Sequence, residues 1–587
     1  MSDRSASGTQ TIPPQMPHGR YDVAVLGGGL AGLCMGLQLR RERPDTRVLV
    51  AEKRLEPPPL SAFKVGESTV EVGCSYYRDT VGMRDHMEEH HLRKLGLRFF
   101  LPAGDNRDIT KRVEFHIAAH ERAYTHQLDR GLFERELFDR CLAAGAETVR
   151  GFSVSDVELG DPHRITLTHD GGEVELSARW VVDASGRANL LRRKLGLGTD
   201  TGHHINAAWF RLANGLDLEA WGDHVPQWIE RVANREHRRQ STNHLMGEGY
   251  WVWLIQLATG PVSIGINADP RFHPFERIST LDAFIDWMHE YEPQLGTEVE
   301  HRRADVMDFL RVEDFSYGSS RCFSATERWT LSGEAFAFLD PLYSPGSDFI
   351  GYTNTFGGEL IERELDGEDV TELAEFYNVF LLRIFETVAL YRDNYHLFGN
   401  PQIYVVKGLN DSLNYFTLVG SPFVHGRLRR HEDIERRIAL IEQVGPQLTR
   451  IQQLFRDWHE LDDREWQGVT VASSEWAPHL AAQEEIEVPG TEDELIERAQ
   501  EKIALMKAFA VWAFHAAAAN LPAEQRLDPE RPVNPNAIGL RPERWEEDGL
   551  FDGDGLTLAQ ALERLGGIEA IDLSRRGAVL AQADDSQ

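Results

Sequence analysis

Three glycines, Gly27, Gly29 and Gly32, stand between an apolar run, Tyr21–Leu26, and a stretch of helical period, Leu30–Arg43. That spacing builds an anion site. The first glycine permits a tight turn, the second lets backbone approach a pyrophosphate, and the third lets helix and strand pack closely. The helix N-terminus offers free N–H groups to the anion. A second short apolar run, Val48–Ala51, ends in Glu52, about 20 residues beyond Gly32, where a carboxylate accepts hydrogen bonds from a ribose. A glycine-rich turn alone means little. Strand, turn, helix, strand and acid in this order predict a dinucleotide-binding β-α-β unit.

Two other places carry chemistry. In Arg93–Phe99 (RKLGLRF) a strand would put Lys94, Gly96 and Arg98 on one face and Leu95, Leu97 and Phe99 on the other. Gly96 leaves space beside the lysine. A neutral lysine is a nucleophile and a charged one a hydrogen-bond donor. Taken alone, this strand favours an ordinary solvent-facing lysine. Trp251 and Trp253 share one face of their own strand, where they either wall a cavity or fill a core. His86 and His90, with His91 adjacent, lie four apart on one helix face, but HMEEH is not HExxH and no third ligand is evident. No metal site is expected.

The frame that must position these residues is large. The chain has 587 residues, enough for two to three domains, and 41% hydrophobic residues can fill a core. With 62 basic against 94 acidic side chains, the formal charge of −32 argues against nucleic-acid or anionic-membrane partners. Cys34, Cys74, Cys141 and Cys322 form no CxxC pair, which fits reduced thiols in a cytoplasm. Residues 1–20 are polar and contain proline, and read as a mobile tail without a signal peptide. Arg130–Ala144 has helical period. Val154–Leu159, Arg164–Leu167, Val174–Leu176 and Trp180–Asp183 read as separate strands. From about Ala207 to Asn267 apolar and polar residues alternate, as in a half-buried sheet. Beyond about Asn400, His431–Val444 and Thr491–Asn520 are helical and charged. Ala508–Phe514, the most membrane-like stretch, is about two helical turns, too short to span.

Trp180–Arg187 (WVVDASGR) and Leu331–Gly346 (LSGEAFAFLDPLYSPG) resemble the second and third flavin segments of the p-hydroxybenzoate hydroxylase-type FAD oxidoreductases, and Gln127–Arg130 is similar to their QLDR stretch. Val65–Thr69 (VGEST), Arg93–Phe99 and Trp251-x-Trp253-x-Ile255 follow in the order in which the flavin-dependent halogenases carry their VGE(S/A)T loop, lysine strand and WxWxIP motif. The resemblance runs from about Tyr21 to about Phe356. Three positions depart from it. Glu334 replaces an aspartate, Gln256 replaces the proline, and Tyr343 stands where members acting on tryptophan carry a glutamate. The last departure brings the chain closer to the phenol and pyrrole branch.

The resemblance implies an α/β fold. A Rossmann-like FAD-binding domain in two parts, 21–200 and 311–400, would enclose an inserted, mostly antiparallel substrate sheet at 201–310, followed by a helical C-terminal region at 401–587. It implies FAD bound by Gly27, Gly29, Gly32, Glu52, Gly66, Glu67, Ser68, Arg130, Asp183, Gly186, Gly333, Glu334, Asp340, Pro341 and Gly346. A chloride or bromide ion would sit near Ser344, Gly346 and Ser347. Hypohalous acid made at the flavin would pass by way of Lys94 to an electron-rich aromatic, either a small molecule or one tethered to a carrier protein. Trp251 and Trp253 would keep that substrate from the flavin. No second dinucleotide fingerprint is present, so FADH2 would come from a separate flavin reductase. Two alternatives remain: an FAD-dependent monooxygenase or oxidase on the same scaffold, and a non-catalytic flavin-binding module that meets partners through its helical C-terminal region.

Overall fold

The computed structural model describes residues 16–573 and 578–579, apart from 62–63, 119–124, 235, 389–391, 429, 463 and 465. Of the expected tail, 1–15 lie outside the described residues. Its end is already structured, because Arg20 opens the first strand.

Val23–Leu26 and Val48–Ala51 are buried throughout, the pattern of strands covered on both faces. Arg20–Leu26 pairs parallel with Val48–Glu52 on one side and with Gly172–Asp183 on the other. Parallel neighbours need a crossover, and the helix Leu30–Glu42 supplies the first. Glu147–Arg150 and Trp329–Leu331 extend the sheet in parallel at its two sides. Leu26 lies level with Ala51 and Asp183, and Asp183 with Leu331, so the strands end together at one crevice. In open α/β sheets ligands bind at that edge. The expected strands Val174–Leu176 and Trp180–Asp183 are one continuous strand, Gly172–Asp183. Its first half pairs antiparallel with His163–His169 and its second half joins the parallel sheet.

The second sheet reaches beyond 201–310. Asn206–Leu212, Val262–Ala268, Tyr250–Gln256 and Thr242–Gly247 form its antiparallel centre. Leu310–Val312 adds to one edge. Gly96–Leu101 and Val113–Ala118 come from within 21–200, and Thr470–Ala472 comes from the C-terminal region. Two of these junctions are parallel, Thr242–Gly247 with Gly96–Leu101 and Thr470–Ala472 with Val113–Ala118.

The C-terminal region is helical as expected. His431–His459 continues through Pro446, and Glu492–Ala518 starts at a capping box of Thr491 and Glu494. Their apolar faces belong to the same core as the first sheet: Leu30, Trp180, Phe356, Val406, Phe455 and Phe509 lie in one cluster. The helical region is therefore packed into one core with that sheet. No helix among the described residues is long and apolar enough to cross a membrane.

Candidate functional site

The crevice at the strand ends is a cavity of about 750 Å³. Gly27 takes φ +123°, and a Cβ there would lie 2.3 Å from the Ala184 carbonyl oxygen. A Cβ on Gly32 would lie 1.9 Å from the Gly27 oxygen, so this glycine lets helix and turn touch and does not itself line the cavity. Gly29 differs. It lines the cavity with nothing within 4 Å of a built Cβ, which leaves room for a ligand over the N-terminus of Leu30–Glu42. Glu52 also lines the cavity and accepts hydrogen bonds from the Gly28 and Arg54 amides.

The loop residues Gly66, Glu67 and Ser68 line the same space, as does Arg130 at the start of the helix Arg130–Ala143. Arg130 donates to the Val65 carbonyl and to Glu134. Gly186, Gly333 and Glu334 face the cavity from the other side of the sheet, with Asp340, Pro341 and Gly346 beyond them. Asp183 does not face it. Its two carboxylate oxygens accept the Ser185 and Leu191 amides at 3.0 and 2.7 Å, so it holds the turn after the strand.

Sequence reasoning missed the partners that fix these groups. Asp340 Oδ2 accepts from His203 Nε2 at 2.8 Å and from the Tyr395 hydroxyl at 2.5 Å, and the Trp251 indole N–H donates to the same hydroxyl at 3.0 Å. Buried Arg211 pairs with Glu67 and Asp308. None of these pairs has a spacing signature. Trp251 and Trp253 line the cavity with ring centroids 5.7 Å apart. Gln256, in place of the proline, ties the following turn through the Leu257, Gly260 and Pro261 carbonyls. Two buried groups lining the cavity, the Asn267 amide and the Trp209 indole N–H, have no hydrogen-bond partner among the described residues. Buried polar groups are rarely left so. The open cradle at Gly29 and these orphaned groups fit a polar, ring-bearing dinucleotide.

Ser344, Gly346 and Ser347 line the far end, at the N-terminus of the helix Gly346–Leu365. Ser344 has φ +62°, a left-handed conformation that turns the chain into that helix. Its hydroxyl donates to Ser68 Oγ at 2.9 Å.

Lys94 is not on a continuous strand. Leu92–Arg93 and Gly96–Leu101 are separate because Gly96 takes φ +97°, and the Lys94 and Leu95 amides donate to Thr125 and Gln240. Nor does Lys94 face solvent, since it is 1% exposed. It lines a second, smaller cavity of about 80 Å³. Its ammonium donates to Ser68 Oγ and to the Thr69 carbonyl, each at 2.8 Å. Ser68 lines the large cavity, and Pro345 and Phe349 line both. Lys94 therefore stands behind the wall that separates the two spaces. Burial pushes its ammonium from the ordinary 10.5 down to about 8, opposed by the charges of Glu71 and Asp348.

Tyr343 lines the smaller cavity and donates to Asp411 at 3.2 Å. Glu71, Asp348, Asp411 and Tyr415 also line it, and the sequence singled out none of them. They come from two helix starts and from the C-terminal region, places without a shared motif. His86 packs against His90 and His91, and His86 and His91 both pack against Phe133. No group of His, Cys, Asp and Glu among the described residues could hold a metal ion.

Residues 22–210 match the family model of the Lycopene cyclase protein. The flavin-dependent halogenase chlA of Dictyostelium discoideum is 25% identical over 440 residues, which cover 68% of this chain and 70% of that one. The 1H-pyrrole-2-carbonyl-(peptidyl-carrier protein) chlorinase of Pseudomonas fluorescens is 25% identical over 370 residues, 58% of this chain and 76% of that one. Among solved structures, the halogenase PltM in complex with phloroglucinol and FAD shares the fold. Its TM-score is 0.59 at 18% identity, over 83% of this chain and 96% of that one.

Proposed function

We propose that this chain, similar in sequence to flavin-dependent halogenases, is an FAD-dependent oxidoreductase that halogenates an electron-rich aromatic ring beside Lys94. The observation that carries this reading is the pair of cavities with Lys94 behind their common wall. FAD would be held by Gly27, Gly29, Glu52, Gly66, Glu67, Ser68, Arg130, Gly186, Gly333, Glu334, Asp340, Pro341 and Gly346, with Gly32 and Asp183 shaping the turns behind it. When bound and reduced, it supplies the activation of O2 that converts halide to hypohalous acid. The remaining work belongs to the chain.

Ser344, Gly346 and Ser347 offer a helix N-terminus to chloride or bromide. Trp251 and Trp253 fill the sheet side of the large cavity and keep an aromatic substrate out of it. Lys94 receives the hypohalous acid through the Ser68 side of the wall and presents the halogen in the smaller cavity. At a pKa of about 8 it is charged enough to donate a hydrogen bond and close enough to neutral to give up that proton. The small volume fits a single ring, free or at the end of a carrier arm such as the named substrate of the Pseudomonas chlorinase. With one dinucleotide fingerprint in the sequence, reduced flavin would come from a separate reductase.

The test is purified protein with FAD, a flavin reductase, NADH and bromide, offered phenols, indoles and pyrroles and read by mass spectrometry. Brominated ring products support the reading. Hydroxylated products with bromide left untouched would move the chain to the monooxygenases. Flavin binding without turnover would leave only a binding module.

A further inference from the structure

Three carboxylates among the described residues line the smaller cavity; Asp411 is paired with buried Lys407, which leaves Glu71 and Asp348, neither of them used in delivering halogen to Lys94. Glu71 opens the short helix Glu71–Ser75, and Asp348 sits in the first turn of Gly346–Leu365. Both line the cavity with Lys94. Tyr415 lines the same cavity, and its hydroxyl accepts the Val72 amide at 3.2 Å. Asp348 Oδ1 accepts the Gly73 amide at 2.8 Å, which ties it to the helix Glu71–Ser75.

The rest of the lining is largely apolar, with Leu97, Ile117, Phe349, Ile384, Phe416 and Val419. An aromatic ring held there meets the lysine and these two carboxylates, with Thr125, Ser412, Asn414 and Gln483 as further polar lining. The Lys94 ammonium has three N–H groups and uses two on Ser68 and Thr69, so one donor remains in the cavity.

We propose that Glu71 and Asp348 are further catalytic residues, the bases that take the ring proton from a substrate halogenated at Lys94. The proposal rests on the halogenase reading above. Hypohalous acid hydrogen-bonded to Lys94 gives its halogen to the ring. The ring's π pair forms the carbon–halogen bond, the oxygen–halogen bond breaks, and the oxygen takes a proton from the Lys94 ammonium and leaves as water. The cationic ring then passes its C–H proton to one of the carboxylates, and the C–H electron pair restores aromaticity. The carboxylic acid returns the proton to the neutral Lys94 amine. The sum is arene plus hypohalous acid to haloarene plus water, with every protein group restored.

The electrostatics agree with such an exchange. Burial, with the neighbouring Glu71 charge, pushes the Asp348 carboxyl up to about 8, and burial brings Lys94 down to about 8. Glu71 is also raised by burial. Groups of matched acidity exchange a proton at little cost, and a positioned base is worth about 100-fold or more in rate.

The test uses Asp348→Asn, Glu71→Gln and the double variant. Asn keeps an oxygen for the Gly73 amide. Phenol and pyrrole, each with ring hydrogen or ring deuterium, are offered with FAD, a flavin reductase, NADH and bromide. FAD affinity by fluorescence quenching controls for folding, and Glu71→Asp and Asp348→Glu serve as conservative rescues. Product formation should fall about 100-fold or more in the double variant. A primary deuterium isotope effect should appear there that wild type lacks, because proton loss has become slow. The conservative variants should recover part of the rate. If the double variant loses FAD binding, the single variants carry the same isotope measurement. Wild-type bromination with variants of equal rate and no isotope effect overturns this proposal alone. A wild type that brominates neither ring overturns the underlying reading, and the proposal with it.

Discussion

Treating the folded protein with cyanate at a series of pH values reads the acidity of Lys94 directly. Cyanate carbamoylates only neutral amines, and peptide mass spectrometry assigns the product to one lysine. Lys94 is buried, and its ammonium is brought from 10.5 to about 8, first by desolvation. That raises its neutral fraction at pH 7 about 300-fold over an ordinary lysine. The carbamoylation rate of Lys94 should reach half its plateau near pH 8. The charges of Glu71 and Asp348 hold the value up, so Glu71→Gln and Asp348→Asn should each lower the midpoint further. Stability carries the same signature. The folded pKa lies below the unfolded one, so the unfolded chain binds more protons between about pH 8 and 10.5, and stability rises with pH across that window. Full burial makes the penalty below pH 8 on the order of 3 kcal/mol, partly offset by the two hydrogen bonds Lys94 makes. Lys94→Met should remove that slope. A Lys94 midpoint near 10.5, or a slope unchanged in Lys94→Met, would refute the lowered pKa assigned to buried Lys94.

Three further outcomes follow from the large cavity. Gly29→Val places a side chain in the open space where a pyrophosphate approaches, so fluorescence quenching should show FAD affinity lost; retained affinity would move the cofactor elsewhere. Tyr395→Phe strips Asp340 of a donor and Trp251 of an acceptor, and should cost about 1–3 kcal/mol in urea unfolding. FAD-loaded protein mixed with NADPH alone should bleach negligibly in stopped flow until a flavin reductase is added, and rapid bleaching would favour a self-sufficient hydroxylase.

The sequence showed the parts of the site whose chemistry is local. The turn at Gly27–Gly32 and the acid at Glu52 are set by backbone geometry within one β-α-β unit, and spacing reveals that. Asp183 resembles Glu52 in sequence, an acid at a buried strand end. Only the structure shows that its oxygens are taken by the amides of Ser185 and Leu191. The Lys94 strand was legible as a pattern, but its break was not, because the positive φ of Gly96 and the carbonyls of Thr125 and Gln240 are tertiary facts. Glu71, Asp348 and Tyr415 meet from three distant stretches. No period or motif links them, and burial, with their mutual charges, makes them chemically unusual. The C-terminal helices read as a separate region because their charged faces dominate the sequence. Their apolar faces share the core of the first sheet, and Asp411, Tyr415 and Phe416 close the Lys94 cavity.

The most direct test is the partition of oxidising equivalents in wild type and Lys94→Ala. Both proteins are supplied with FAD, a flavin reductase, NADH, O2 and bromide, and with an aromatic substrate that wild type accepts. Halogenated product and hydrogen peroxide are measured side by side. Wild type should direct oxidant into one regiochemically defined product. Lys94→Ala should bind FAD, release peroxide and make no such product beyond unselective bromination by leaked hypobromous acid. Halogenated product formed by Lys94→Ala at the wild-type rate and regiochemistry would contradict the role assigned to Lys94.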